Sequence, residues 1–181
     1  MAIETATLAM VLAATALILG GTVVTRVAPM PTSDQARAAM LKMTADLHPA
    51  RIYELDVGWG GLAQALARQF PETRVIAIEM SPLRWAVCRL RAALFGPENL
   101  EEWGDVLKTD LSDGVLIACF LCPALMTPLD PKFRSGLKPG AHVISNTFAL
   151  PGWSGSTTCT ARRFTRTTTT AELNNIVFHD G

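Results

Sequence analysis

The chain has 181 residues, 49% of them hydrophobic, with 16 basic and 16 acidic side chains and a formal net charge of zero. That length suffices for one domain with a real core plus an appendage, and the charge balance excludes a global field that would recruit nucleic acid. Four cysteines, Cys88, Cys119, Cys122 and Cys159, lack the spacing of a disulfide framework and fit a reducing compartment.

Residues 5–25 carry no charged side chain. As a helix they would span about 31 Å, the hydrocarbon thickness of a bilayer. No Lys or Arg precedes them, which argues against a signal peptide or a transit peptide. Arg26, Arg37 and Lys42 follow, so the positive-inside rule puts the rest of the chain on the cytoplasmic side. The expectation is a single-pass membrane anchor over residues 1–27. Ala9/Ala13 and Ala16/Gly20 form small-xxx-small pairs, either a helix-packing face or plain alanine richness.

A proline-bearing linker follows, and Thr32 or Ser33 can cap a short helix over 34–47, closing a connecting segment of residues 28–47. From residue 48 to 181 strand and helix patterns alternate. Strands are predicted at 51–55, 74–79, 114–121 and 141–148. Helices are predicted at 62–70, from Ser81-Pro82 to Gly96, and from Asp130-Pro131. Eight of the fourteen residues from Thr157 to Thr170 are threonine, and with residues 175–180 they suggest an antiparallel pair at the sheet edge. The class is α/β and Rossmann-like: a mostly parallel sheet with an antiparallel C-terminal edge.

Ligands of such sheets bind at the carboxyl ends of the strands. The first strand runs into "ELDVGWGG", where Gly58 and Gly60 allow backbone to approach a ligand. Glu79 ends the second strand, placed to accept hydrogen bonds from ribose hydroxyls, and Asp105 opens the loop "GDVLKTDLSD", within reach of an adenine amino group. Trp59 is either a cofactor wall or a plug against the next helix. NAD and S-adenosylmethionine both suit this order of residues. The missing third glycine of G-x-G-x-x-G counts against the dinucleotide, because a pyrophosphate needs the helix N-terminus brought close.

The stretches "IYELDVGWGGLAQALARQFPETRVIAIEMSPLRW", "GDVLKTDLSD" and "LKPGAHVISNTFALPGW" together resemble class I S-adenosylmethionine-dependent methyltransferases. They are most similar to a small membrane-anchored group whose eukaryotic members methylate lysines of mitochondrial inner-membrane proteins, the ATP synthase c subunit among them. The resemblance implies that Glu54 helps hold the methionine end, that Gly58 and Gly60 are motif glycines, and that Glu79 and Asp105 take the ribose and adenine. Pro31-Thr32 resembles an element entering the site from the anchor side. Phe120 and Pro123 fall where the group shapes its acceptor pocket.

Asp56 and Val57 stand where the group has Gly-Ser, so a carboxylate is expected against the cofactor's methionine end; in a second register Asp56 is itself the motif acid of "LDVGWG" and Leu62 replaces the last glycine. Two functions follow from the resemblance. One is methyl transfer to a lysine of a membrane protein. The other is a degenerate methyltransferase kept as an accessory subunit of a membrane complex. The sequence names no catalytic acid or base. Cys119 and Cys122 project to opposite faces of a strand, so no metal site is expected. Arg84, Arg89 and Arg91 are expected to form a solvated basic helix face, or one that touches anionic lipid.

Overall fold

A computed structural model describes residues 2–25, 32–148, 150, 157–163 and 172–180. Pro31, residues 149 and 151–153 of the "SNTFALPGW" stretch, and residues 164–170 of the Thr-rich segment lie outside the described residues.

Seven strands form one sheet: β1 (Arg51–Leu55), β2 (Arg74–Ile78), β3 (Leu100–Trp103), β4 (Leu116–Cys119), β5 (His142–Asn146), β6 (Thr157–Arg163) and β7 (Glu172–Asp180). Their spatial order is β3-β2-β1-β4-β5-β7-β6. The first five run parallel, while β7 pairs antiparallel with both β5 and β6. The Rossmann-like sheet with an antiparallel C-terminal edge is thus observed. β3 escaped the sequence reading because "LEEW" holds two acids and no apolar run; it is the outermost strand of the parallel half, where a polar pattern is tolerated.

The helices are α1 (Ala2–Thr25), α2 (Asp34–Met43), α3 (Gly61–Gln69), α4 (Pro82–Phe95) and α5 (Pro123–Gly136). Alternation along β1 sends Ile52 into the core shared with α2 and α3, and Tyr53 and Leu55 into the core shared with α5. Glu54 therefore points to the α2/α3 side. Chain order reverses between β1 and β4, and the switch point opens at their carboxyl ends.

Two expectations need correction here. The helix predicted from Asp130 begins at Pro123 and carries Pro128 and Pro131 inside it. Met126, Leu129 and Phe133 bury one stripe of it, and that burial outweighs the two lost N–H bonds. Both prolines sit on the exposed side, and the Thr127 hydroxyl donates to the Pro123 carbonyl at 3.0 Å.

The second concerns residues 5–25. They are helical, yet among the described residues no helix is long and apolar enough to cross a membrane. Alanine and threonine dilute the segment, and the hydroxyls of Thr7 and Thr15 bond back to the carbonyls of Ile3 and Val11 at 2.8 Å. Leu8, Met10, Val11 and Leu12 are nonetheless exposed.

Candidate active site

β1 delivers Glu54 and then breaks into a loop of left-handed residues. Asp56 has φ 60°, Gly58 59° and Gly60 79°. An aspartate tolerates that region better than any branched residue, which is how an acid can stand where a glycine is usual. The amides of Asp56 and Val57 donate to the Ile78 carbonyl at 2.9 and 3.2 Å, so the loop is bolted to the end of β2. A Cβ on Gly58 would meet nothing within 4 Å, whereas one on Gly60 would lie 3.3 Å from Cys88 Sγ. Gly58 therefore faces open space, and Gly60 serves the packing of α4.

The register pairs Leu55 with Ile78, which sets the next residues on each strand, Asp56 and Glu79, at the same height. Glu79 is buried and accepts from the Gly58 amide at 2.9 Å and the Ser81 amide at 2.7 Å. Arg84 reaches in from the first turn of α4. Its Nη2 lies 3.0 Å from Glu79 Oε1 and 3.4 Å from Asp56 Oδ1, with only 7% of the residue exposed. The expected solvated arginine face is thus corrected at Arg84, the counterion of two buried acids. Nothing in the sequence distinguished it from Arg89 and Arg91, since its partners come from two other elements.

Two cavities flank this ion cluster. One, of about 250 Å³, is lined by Thr32, Glu54, Asp56, Gly58, Trp59 and Phe120 among others. The other, of about 330 Å³, is lined by Glu79, Met80, Trp85, Asp105 and their neighbours. The structure thus brings together Glu54, Asp56, Gly58 and Trp59 with Thr32 and Phe120, and separately Glu79 with Asp105. Gly60 lines neither cavity. Pro123 is exposed at the start of α5 and lines neither, because the helix begins there rather than seven residues later. Trp59 belongs to the wall, and its carbonyl accepts from Arg91 Nη1 at 2.6 Å.

In the first cavity burial works against the charged forms of the acids. Burial, and then the charge of Asp56, push the Glu54 carboxyl well above the usual carboxylate range, and its Oε2 is buried without a hydrogen-bond partner. Burial, followed by the charge of Glu79, raises Asp56 to about 7 even though Arg84 pulls the other way. Desolvation raises Asp105 too, but hydrogen bonds from Lys108 and the Leu107 amide overcome it and leave that acid low.

A reversed strand order, a left-handed glycine loop at the switch point and acids closing β1 and β2 define a class I S-adenosylmethionine-dependent methyltransferase. Residues 54–157 match the family described as "ANTKMT methyltransferase domain", and the chain belongs to that family. A protein-lysine N-methyltransferase of Saccharolobus islandicus (strain REY15A) is 25% identical over 128 residues, covering 69% of this chain and 79% of the relative. The adenine nucleotide translocase lysine N-methyltransferase of Mus musculus is 29% identical over 107 residues; the match covers 58% of this chain and 46% of the mouse protein, so the chain spans about half that relative's length. Among solved structures, an RNA methyltransferase from Salinibacter ruber in complex with S-adenosyl-L-homocysteine superposes with TM-score 0.68 at 21% identity, over 83% of this chain and 93% of that one. That likeness concerns the fold.

The cofactor is S-adenosylmethionine, and the residues present fit it. Glu54 offers a buried oxygen without a partner, Gly58 keeps its face clear, and Glu79 and Asp105 lie in one cavity on the far side of the loop. Asp56 leaves the first cavity open, because Arg84 draws its carboxylate toward Glu79. The expected carboxylate stands in the wall of the cavity that also holds Glu54, and the accessory-subunit reading finds no support in the geometry.

Proposed function

We propose that the chain methylates the ε-amine of a lysine in a protein, and that this protein resides in a membrane. The unpartnered Glu54 oxygen, buried beside the open face of Gly58, carries the methyl-transfer reading: it is a site for a cationic amine at the head of the glycine loop. Lysine as acceptor is supported by the Saccharolobus and mouse relatives, both lysine N-methyltransferases, and by Trp59 and Phe120 in the cavity wall, where an aliphatic stem can lie.

When bound, S-adenosylmethionine supplies an electrophilic methyl carbon on a sulfonium. Glu54 would hold the methionine end, Glu79 the ribose and Asp105 the adenine side. The chain's own task is then placement. The Gly58 amide and Arg84 fix the Glu79 carboxylate, and the acids stabilise positive charge nearby. Little acid–base machinery is required, since the acceptor amine needs only to arrive deprotonated.

The membrane part rests on the exposed apolar side chains of α1 and on Arg26, Arg37 and Lys42 following it. In this reading α1 lays its exposed apolar side chains against a membrane surface, with the domain on the cytoplasmic side. The test incubates full-length protein and methyl-labelled S-adenosylmethionine with membrane and soluble protein fractions, then hydrolyses the product. Label recovered as methyl-lysine from the membrane fraction supports the proposal; label confined to soluble protein, to RNA, or absent altogether rejects it.

A further inference from the structure

α4 is amphipathic the wrong way round. The residues it buries are Arg84 and Cys88, while Leu90, Leu94 and Phe95 stand 60%, 61% and 73% exposed. Two exposed leucines one turn apart, followed by an exposed phenylalanine, make an apolar strip on the outer wall of the catalytic domain. α1 packs against α4, and those side chains are exposed all the same. The neighbouring helix therefore leaves the strip uncovered, and Leu8, Met10, Val11 and Leu12 of α1 are exposed as well.

Charge selects the occupant. Every charged residue of α4 is an arginine, and the helix has no acid. The Arg89 guanidinium lies 5.6 Å over the Trp85 ring, Arg91 is fixed to the Trp59 carbonyl, and Arg68 of α3 reaches the Phe95 carbonyl at 3.3 Å. A second copy of the chain on this face would set arginines against arginines, because a twofold contact repeats the same patch on both sides. An anionic bilayer surface answers both features, taking the apolar strip into its acyl boundary and the arginines among its headgroups.

We infer that the outer face of α4 is a docking surface for an anionic membrane, so that the domain lies against the bilayer rather than hanging from α1. Arg91 and Trp59 line the first cavity and sit at this edge, which sets that cavity beside the lipid surface, where a membrane protein presents its lysines. The inference rests on the membrane reading proposed above.

The test uses the full chain and vesicles of brominated phosphatidylcholine with or without phosphatidylglycerol. A Leu90→Trp reporter is expected to be quenched, more strongly when phosphatidylglycerol is present. Leu90→Glu/Leu94→Glu, at exposed positions, is expected to weaken vesicle partitioning about tenfold while calorimetric titration with S-adenosylmethionine is unchanged. A chain that floats with its reporter unquenched overturns this inference and leaves α1 as the membrane contact. Failure to bind vesicles at all overturns both membrane readings and spares the methyltransferase. Vesicle binding indifferent to the double variant, with a dimer that it dissociates, would assign the face to a second copy and overturn the inference.

Discussion

Arg84 Nη2 lies 3.4 Å from Asp56 Oδ1 and 3.0 Å from Glu79 Oε1, so one buried guanidinium serves an acid from each of two adjacent strand ends. Removing it strands both carboxylates. Arg84→Gln is expected to destabilise the fold by about 3 kcal/mol and to weaken S-adenosylmethionine binding about tenfold or more. Asp56→Gly/Arg84→Leu removes one acid with the counterion but still leaves Glu79 unpaired, so it should recover only part of the lost affinity, a non-additivity that identifies Asp56 and Arg84 as coupled. Calorimetric titration and thermal unfolding of the two variants check this; an additive double variant would refute it.

Asp56, raised to about 7 chiefly by burial, gives the site a pH dependence near neutrality. A cationic ligand favours the ionised acid, so affinity for S-adenosylmethionine should fall as pH drops through about 7, by up to roughly tenfold per pH unit below it. For stability the sign is opposite. The folded pKa lies above the unfolded one, so the stabilising contribution is full below the unfolded value and is lost as pH rises through about 7. Asp56→Asn, which keeps a residue suited to positive φ, should flatten the affinity profile and resist unfolding better at pH 8. A profile unchanged by the substitution assigns the titration elsewhere.

Glu54 illustrates a residue kept for binding at a cost to the fold. Its carboxyl is pushed up by burial and by Asp56, and Oε2 has no partner. Glu54→Gln should therefore leave the melting temperature level or higher while costing about 2 kcal/mol of cofactor affinity, near thirtyfold in Kd. Parallel calorimetry and differential scanning fluorimetry separate the two effects; a fall in both would make Glu54 structural.

Gly58 combines φ +59° with open space around a virtual Cβ. Gly58→Ala is expected to lose about 1 kcal/mol of stability from the left-handed backbone alone. Its larger effect is on the cavity, into which the methyl group projects. Affinity for S-adenosylmethionine should drop at least tenfold, and affinity at the parental level would show that the cofactor avoids this loop.

The glycine loop and the acids at 54, 79 and 105 were legible in the sequence because each is a local signal: an apolar strand ends, and a polar residue or a glycine follows. Trp59 and Phe120 were legible in part, as neighbours of those signals. The start of α5 was misplaced for a physical reason. Asp130-Pro131 reads as a helix opening, yet Met126, Leu129 and Phe133 buried together hold Pro123–Gly136 as one helix. β3 was missed because an edge strand needs no apolar run.

By itself the amino-acid order determined the alternation of strands and helices, the left-handed loop and the set of acids, since these depend on near-neighbour sterics and on burial periodicity. The fate of Arg84 and of Asp56 was decided only by the tertiary structure. The Leu55–Ile78 register sets two carboxylates side by side, and only then does an arginine on a third element become their counterion rather than a surface charge. Charge pairing across elements depends on distances that no spacing along the chain encodes, which is why an acid that looked destructive in the sequence is accommodated in the fold.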